Sequence, residues 1–267
     1  MIQITHNAGF FSCCSIRLLN IIQYFNANRC LPRWVDSSQQ FAWYKPSDQP
    51  HRDVTFCYFA PCQTPSIPFT KPIDTGDPTR SDFFQFDVYK EVDWDSLVPF
   101  VQAYFSPSQT IQTLTSSLEQ KYKVDYDRTC VLFYRGNDKH RETALCGYGE
   151  YISQARRILE DDPTNQLRFL VQSDETGFIE AMLQAFPDRA FYFRDEIRHM
   201  SKRNDTVDRV MRDKNPFFSK QYLAVTWVMS QCKYVVCGSG NCSVWIMLYR
   251  GHARNVYQNL NGVWICG

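Results

Sequence analysis

Three short stretches of this chain concentrate residue types that can hold a charged ligand. The first is "RGND" with the following lysine: Arg135, Gly136, Asp138 and Lys139 come directly after the apolar run Val131 to Tyr134. A guanidinium in a tight turn offers a planar, permanently charged fork that matches phosphate or carboxylate oxygens. The second is "QSDE", in which Ser173, Asp174 and Glu175 follow the run "LRFLV". The third is "CGSGNCS" after "KYVV". There Gly238 and Gly240 allow a tight turn and a close approach of backbone to ligand, with Ser239, Asn241, Cys242 and Ser243 around them. "SVWIMLYR" follows with helical character; its first amides lack intrahelical partners and carry the positive partial charge that suits phosphate. Each stretch also has a purely structural reading. The third can be an ordinary capped helix start, and Arg135 can be a surface arginine paired with Asp138.

Such stretches need a scaffold that delivers them to one place. The second half alternates regularly: strands fit 129–134, 167–172, 190–194, 233–237 and 255–258, and helices fit about 149–160, 176–186, 219–231 and 243–250. This alternation predicts a parallel sheet covered on both faces. All three stretches then fall at carboxyl ends of strands, the edge where open parallel sheets bind ligands. In the first half "IQITHNA", "VTFCYFA" (54–60) and "FFQFDVY" (83–89) read as strands. "GFFSCCSIRLLNIIQYFN" reads as loop and then helix, with Ile16, Leu19, Ile22 and Phe25 on one face, and 107–123 as a helix with Ile111, Leu114, Leu118 and Tyr122 on one face. The proline-rich stretch 61–82 predicts an irregular loop. The charged stretch 194–215 reads as a solvated helix or mobile loop in preference to a ligand contact.

Bulk properties narrow the class. The chain has 267 residues, enough for one large domain or two small ones, and at 44% hydrophobic it can bury a core. A net charge of +1 gives no global basicity, so nucleic acid is not an expected partner. After Asp213 there is no acid, while Lys214, Lys220, Lys233, Arg250 and Arg254 remain, a bias that predicts a local anion site. Eleven cysteines without a signal-peptide pattern predict reduced thiols and a cytoplasmic location. Cys232, Cys237 and Cys242 do not have zinc-ligand spacing, and Cys13 and Cys14 read as small buried hydrophobes. No stretch approaches the roughly 18 apolar residues of a spanning helix. "VDWDS" (92–96) imitates the Asp-x-Asp of metal-dependent transferases but reads as a cap for a helix starting near Ser96. No metal and no other cofactor is therefore expected. His6 and His252 stay ambiguous. The glycine loop is neither a dinucleotide fingerprint, since Ser243 stands where the third glycine belongs, nor a "GxxxxGK[ST]" phosphate loop.

The three stretches together resemble the donor-site motifs of the α1,6-fucosyltransferase and protein O-fucosyltransferase superfamily, which includes the nodulation fucosyltransferases. "FYRGNDKHRE" is similar to that family's His-Val-Arg-Arg-Thr-Asp-Lys segment, "VQSDE" to its Ala-Thr-Asp-Asp, and "SQCKYVVCGSGNCSVWIMLYRG" to its Ser-Gln-Ala-Asp strand and Ser-Ser-Gln loop. The likeness covers the C-terminal half, with motif order and spacing in agreement. "NAGFFSCCSIRLLNII" occupies the place of the family's N-terminal glycine loop and helix.

The resemblance implies an α/β fold of the GT-B type, two Rossmann-like domains facing across a cleft. Residues 1–125 would form the acceptor side, with His6, Gly9, Phe10, Phe11 and Asp36, and residues 126–267 the nucleotide-sugar side. Arg135 would hold the donor diphosphate, with Gly136 beside it; Asp138 and Lys139 match the acid and base that support the loop. Ser173, Asp174 and Glu175 match the acidic motif, and Gly238 to Ser243 would supply phosphate-binding backbone. Glu142 falls one residue from the family's candidate base, with Asp36 and Asp74 as alternatives. Two departures matter: Phe133 replaces the histidine and Gly136 the second arginine. The family's guanine-reading aspartate has no counterpart near Val225 or Thr226, which favours a uridine nucleotide over GDP-fucose. The chain also resembles soluble glycosyltransferases that large algal viruses encode, xylosyltransferases acting on fucose among them. The expectation is an inverting, metal-independent glycosyltransferase taking a nucleotide-sugar donor, UDP-xylose foremost, and a glycan acceptor. A GDP-fucose-dependent fucosyltransferase and a non-catalytic glycan- or nucleotide-binding module are the rival readings.

Overall fold

The computed structural model describes residues 1–61, 67–76 and 83–267. Parts of the proline-rich loop, 62–66 and 77–82, lie outside the described residues. The main sheet has six strands in the order β5-β4-β3-β6-β7-β8: β3 (Thr129–Tyr134), β4 (Arg168–Ser173), β5 (Ala190–Phe191), β6 (Tyr234–Gly238), β7 (Val256–Leu260) and β8 (Val263–Cys266). The first five are parallel and β8 closes the edge antiparallel to β7. β3 is buried along its whole length, as a central strand covered on both faces must be. The helices that alternate with the strands are α4 (Tyr148–Asp161), α5 (Thr176–Ala185), α7 (Asn215–Gln231) and α8 (Asn241–Arg250), with α4 packed on β3 and α5 on β4. The strand–helix alternation read from the sequence is thus the observed one; only β8 was not anticipated, and 190–194 yields two strand residues.

The N-terminal half is sparer. β1 (Ile2–Gln3) and β2 (Val35–Asp36) pair in parallel across α1 (Phe10–Asn28), a single β–α–β unit. Two further helices follow, α2 (Trp94–Phe105) and α3 (Gln109–Tyr122). The "VDWDS" stretch is a helix cap: the Asp93 side chain accepts a hydrogen bond from the Ser96 amide at 3.2 Å. On α1 the buried face takes in Ile22 and Phe25 but also Phe10, Phe11, Cys13, Cys14 and Leu18, while Ile16 and Leu19 are only partly buried.

The strands expected at 54–60 and 83–89 do not form. Thr55–Cys57 is a 3-10 turn, Phe83 and Phe84 have positive φ, and a second 3-10 turn covers Tyr89–Glu91. Their aromatic rings explain the apolar signal without pairing: Tyr58 packs on Phe10 at 4.8 Å between centroids, and Phe59 on Phe105 at 5.0 Å. Burial in an aromatic cluster mimicked strand periodicity.

The two halves are fused through a shared helical layer. α1 and α2 rest on α8, and α3 on α7. No helix among the described residues is long and apolar enough to cross a membrane. The ten described cysteines are free thiols, most of them buried.

Candidate functional site

The parallel register sets Tyr134 beside Ser173, so the loops leaving β3 and β4 run side by side. The acidic pair of the second loop holds the first loop in place. Asp174 accepts from Arg135 Nε at 2.9 Å and from the Gly136 amide at 3.0 Å. Glu175, fully buried, accepts from the Asn137 amide at 2.5 Å and from the Tyr148 hydroxyl. Asn137 Nδ2 donates back to the Asp174 carbonyl at 2.8 Å, and the Ser173 hydroxyl accepts from the Glu175 amide at 3.0 Å. The glycine at 136 is required by this packing: a Cβ there would lie 2.0 Å from Glu175 Oε1. Gly136, Ser173 and Glu175, expected as donor contacts, therefore stand behind the loop and do not line the cleft; Asp174 lines only a side recess.

Arg135 projects from this support into the cleft, its Nη2 3.6 Å from Asp138 Oδ1. Desolvation is the largest single influence and lowers its pKa, but Asp174 together with Tyr222, Asp138 and Cys242 outweighs it and holds the guanidinium charged well above the ordinary range. Lys139 bonds Glu142 Oε2 at 2.6 Å and sits over Gly240, where an added Cβ would lie 3.8 Å from Nζ.

The third stretch joins β6 to α8. Gly240 has φ +151, a conformation L side chains rarely adopt, and no side chain caps the start of α8. The polar side chains are occupied. Ser239 donates to the Asn259 carbonyl at 2.9 Å, and Ser243 to the Gly238 carbonyl at 2.5 Å. Asn241 takes a hydrogen bond from Ser15 at 2.8 Å and gives one to Gln85 at 3.1 Å. What the loop offers a ligand is backbone: the unpaired amides of the first helical turn with their dipole. Cys242 stays a neutral thiol, since burial pushes it up to about 11 despite the lowering effect of Tyr222 and Arg135.

These groups line one cleft of about 400 Å³ between the halves. Its C-terminal wall carries Arg135, Asp138, Lys139, Glu142 and the 238–243 loop; its N-terminal wall carries His6, Gly9, Phe10, Phe11, Ser12 and Trp43. Asp36 is not part of it: that carboxylate caps the Ser38 amide and bonds Gln3. Asp74 caps the Gly76 amide and lines a different hollow. His252 lies far from the cleft, beside the start of β6 and β7.

Two sequence readings change here. The cations of the C-terminal third do not build the anion site. Arg250 caps the end of α7, giving hydrogen bonds to the Ser230 and Cys232 carbonyls, and Lys233 pairs with Asp162 at 3.3 Å. The positive charge of the cleft comes from Arg135 and Lys139. The stretch 194–215 is solvated at 201–204, yet Thr206 and Asp208 reach the cleft around the short helix α6 (Val207–Val210). Asp208 accepts from Arg198 at 2.5 Å and from Tyr44 at 2.7 Å, tying the halves together. A side recess beyond Arg135 is lined by Gln172, Glu196, Arg198, Asp208, Phe218 and Tyr222. Tyr222 and Asp208 carried no spacing signal; they are brought in by the chain's return across the sheet edge.

The chain matches no protein-family model and no curated protein. Solved structures do match it along nearly its whole length. The NodZ α-1,6-fucosyltransferase co-crystallized with GDP is similar at a TM-score of 0.61 and 10% identity, over 98% of this chain and 96% of that one. The fucosyltransferase NodZ from Bradyrhizobium is similar at 0.60, with the same identity and coverage. At this identity the likeness speaks for the fold, which is α/β of the GT-B type.

Proposed function

We propose that the protein is an inverting, metal-independent glycosyltransferase that moves a sugar from a nucleotide donor to a glycan hydroxyl. Residues 126–267 would bind the donor and residues 1–125 the acceptor. The observation that carries this reading is the meeting of Arg135, Lys139 and the uncapped start of α8 in one cleft. As the acceptor oxygen bonds to the anomeric carbon, the bond from that carbon to the diphosphate breaks and its electron pair moves onto the phosphate oxygen. Arg135, Lys139 and the α8 amides are the preorganised positive groups that would stabilise that charge. Among the described residues no group of three or more His, Cys, Asp or Glu could hold a metal ion. The protein's own cations supply the charge that a metal supplies in other transferases.

For the donor we propose UDP-xylose, with fucose as acceptor. The support for uridine over guanosine is α7: Val225 and Thr226 are fully buried, the Thr226 hydroxyl is spent on the Tyr222 carbonyl at 2.8 Å, and no carboxylate stands there to pair with guanine; xylose and fucose rest on the resemblance alone. A second reading, GDP-fucose, draws on Glu196 and Asp208, which bring carboxylates to the side recess from another element. The GDP in the NodZ crystals points the same way. Titration calorimetry with UDP and GDP separates the two, followed by transfer assays with UDP-xylose, UDP-glucose and GDP-fucose in EDTA. Tighter UDP binding with chelator-resistant transfer is expected. Tighter GDP binding selects the fucosyltransferase; binding without turnover of any donor selects a non-catalytic module; loss in EDTA restored by manganese removes the metal-independent mechanism.

A further inference from the structure

We propose that His6 is the residue that takes the proton from the acceptor hydroxyl, an assignment that rests on the glycosyltransferase reading above. An inverting displacement needs a base on the side of the sugar away from the leaving diphosphate. The cationic groups that suit the diphosphate all lie on the C-terminal wall, and His6 lies on the wall contributed by the other half, in the loop between β1 and α1. Every carboxylate of the cleft is already engaged by a cation: Asp138 with Arg135 at 3.6 Å, Glu142 with Lys139 at 2.6 Å, Asp208 with Arg198 at 2.5 Å. Protonating Glu142 would release Lys139, Asp138 is one of the two carboxylates beside the Arg135 guanidinium, and Asp208 is tied to Arg198 and Tyr44 across the seam. Asp36 and Asp74, the other carboxylates the sequence offered, lie outside the cleft.

His6 is held and uncommitted. Its Nε2 is 2.9 Å from the Ser12 hydroxyl, at the first turn of α1, which fixes the ring. With Nε2–H donating to Ser12 Oγ, Nδ1 keeps a lone pair, and no hydrogen bond to it is made by the described residues. The step balances without a further reactant: the hydroxyl proton goes to Nδ1 as the oxygen bonds to the anomeric carbon, and the imidazolium later returns it to water. Burial lowers the His6 pKa from 6.5, so the ring is neutral at pH 7. The charged groups sharing its cleft are Arg135, Asp138, Lys139, Glu142 and Asp208. The other titratable groups there are Tyr134, Tyr151, Tyr222, Cys146 and Cys242, and Cys13 packs against its carbonyl; burial, not these neighbours, is the cause of the shift.

The test is His6→Gln in the full chain. The expected result is a fall in kcat on the order of a hundredfold or more, with the Kd for the nucleoside diphosphate unchanged. The wild-type kcat/KM should fall as pH drops through a midpoint below 6.5, since the base must be neutral to act. That acid limb should vanish in H6Q and persist in E142Q, even if the second variant is slow through Lys139. Ser12→Ala, which only frees the ring, should lose roughly tenfold and keep the limb, so the assignment survives any folding defect in H6Q. An H6Q enzyme with wild-type kcat, or one that keeps the acid limb, overturns the base while leaving the transferase standing. A wild type that transfers from no donor overturns the transferase and the base together.

Discussion

Arg135 is useful because other residues have removed its freedom. Asp174 fixes Nε, and the backbone around it is pinned by Asp174 and Glu175 through the Gly136 and Asn137 amides. A preorganised charge costs no reorganisation when negative charge develops. Arg135→Ala should therefore lower kcat on the order of a hundredfold or more without lowering the melting temperature by more than a few degrees. Arg135→Lys should rescue poorly, because an ammonium cannot hold Asp174 and a phosphate in fork geometry. Near wild-type turnover in Arg135→Ala would remove it from the site. Gly136→Ala tests the support instead. Its Cβ would overlap Glu175 Oε1, so the loop must shift, and nucleotide affinity should drop together with stability. An unchanged Kd would mean that the Arg135 loop adapts freely.

At the scale of elements, the cap of α2 and the start of α8 make opposite uses of the same physics. Asp93 satisfies the Ser96 amide and neutralises the helix start. The start of α8 has no side-chain cap, which leaves its amides for an anion. Asp93→Ala should then cost about 1 kcal/mol of stability with kcat and donor affinity unchanged, measured by denaturant unfolding beside steady-state kinetics. A loss of activity in that variant, recovered with a divalent cation, would reinstate the Asp-x-Asp reading of "VDWDS".

At the scale of the whole molecule, the halves are stitched rather than hinged. Ser15 of α1 donates to Asn241 and accepts from Trp245 Nε1 at 3.0 Å, and Tyr58 bonds Ser219 at 2.8 Å inside the core. Phe11 and Phe105 both pack on Trp245. Such a seam is costly to open, because parting the halves would expose the aromatic surface packed across it to water. Thermal unfolding should accordingly show one cooperative transition, with a calorimetric enthalpy matching the van't Hoff value. Two separated transitions would show that residues 1–125 and 126–267 fold as independent domains.

The C-terminal architecture was legible from residues alone. Buried strands such as Val131 to Tyr134 are continuously apolar, helices between them are amphipathic, and glycine and charge mark the turns, so local pattern determines both element type and the edge where the three motifs meet. The anion-holding role proposed for Arg135 and for the backbone at the start of α8 rests on the same local signals. Which side chains face the cleft was legible only in part: Arg135, Asp138, Lys139, Glu142 and the Gly238–Ser243 loop line it as expected. Glu175 and Asp174 read as ligand groups but sit behind Arg135, and Asn241 is spent on Ser15, a partner 226 positions away. Aromatic runs at 54–60 and 83–89 looked like strands because periodicity reports burial, whatever conformation achieves it. Trp43 and Asp208 reach the cleft only because the halves pack face to face. Pairing between residues distant in sequence is set by tertiary packing, and no local pattern encodes it.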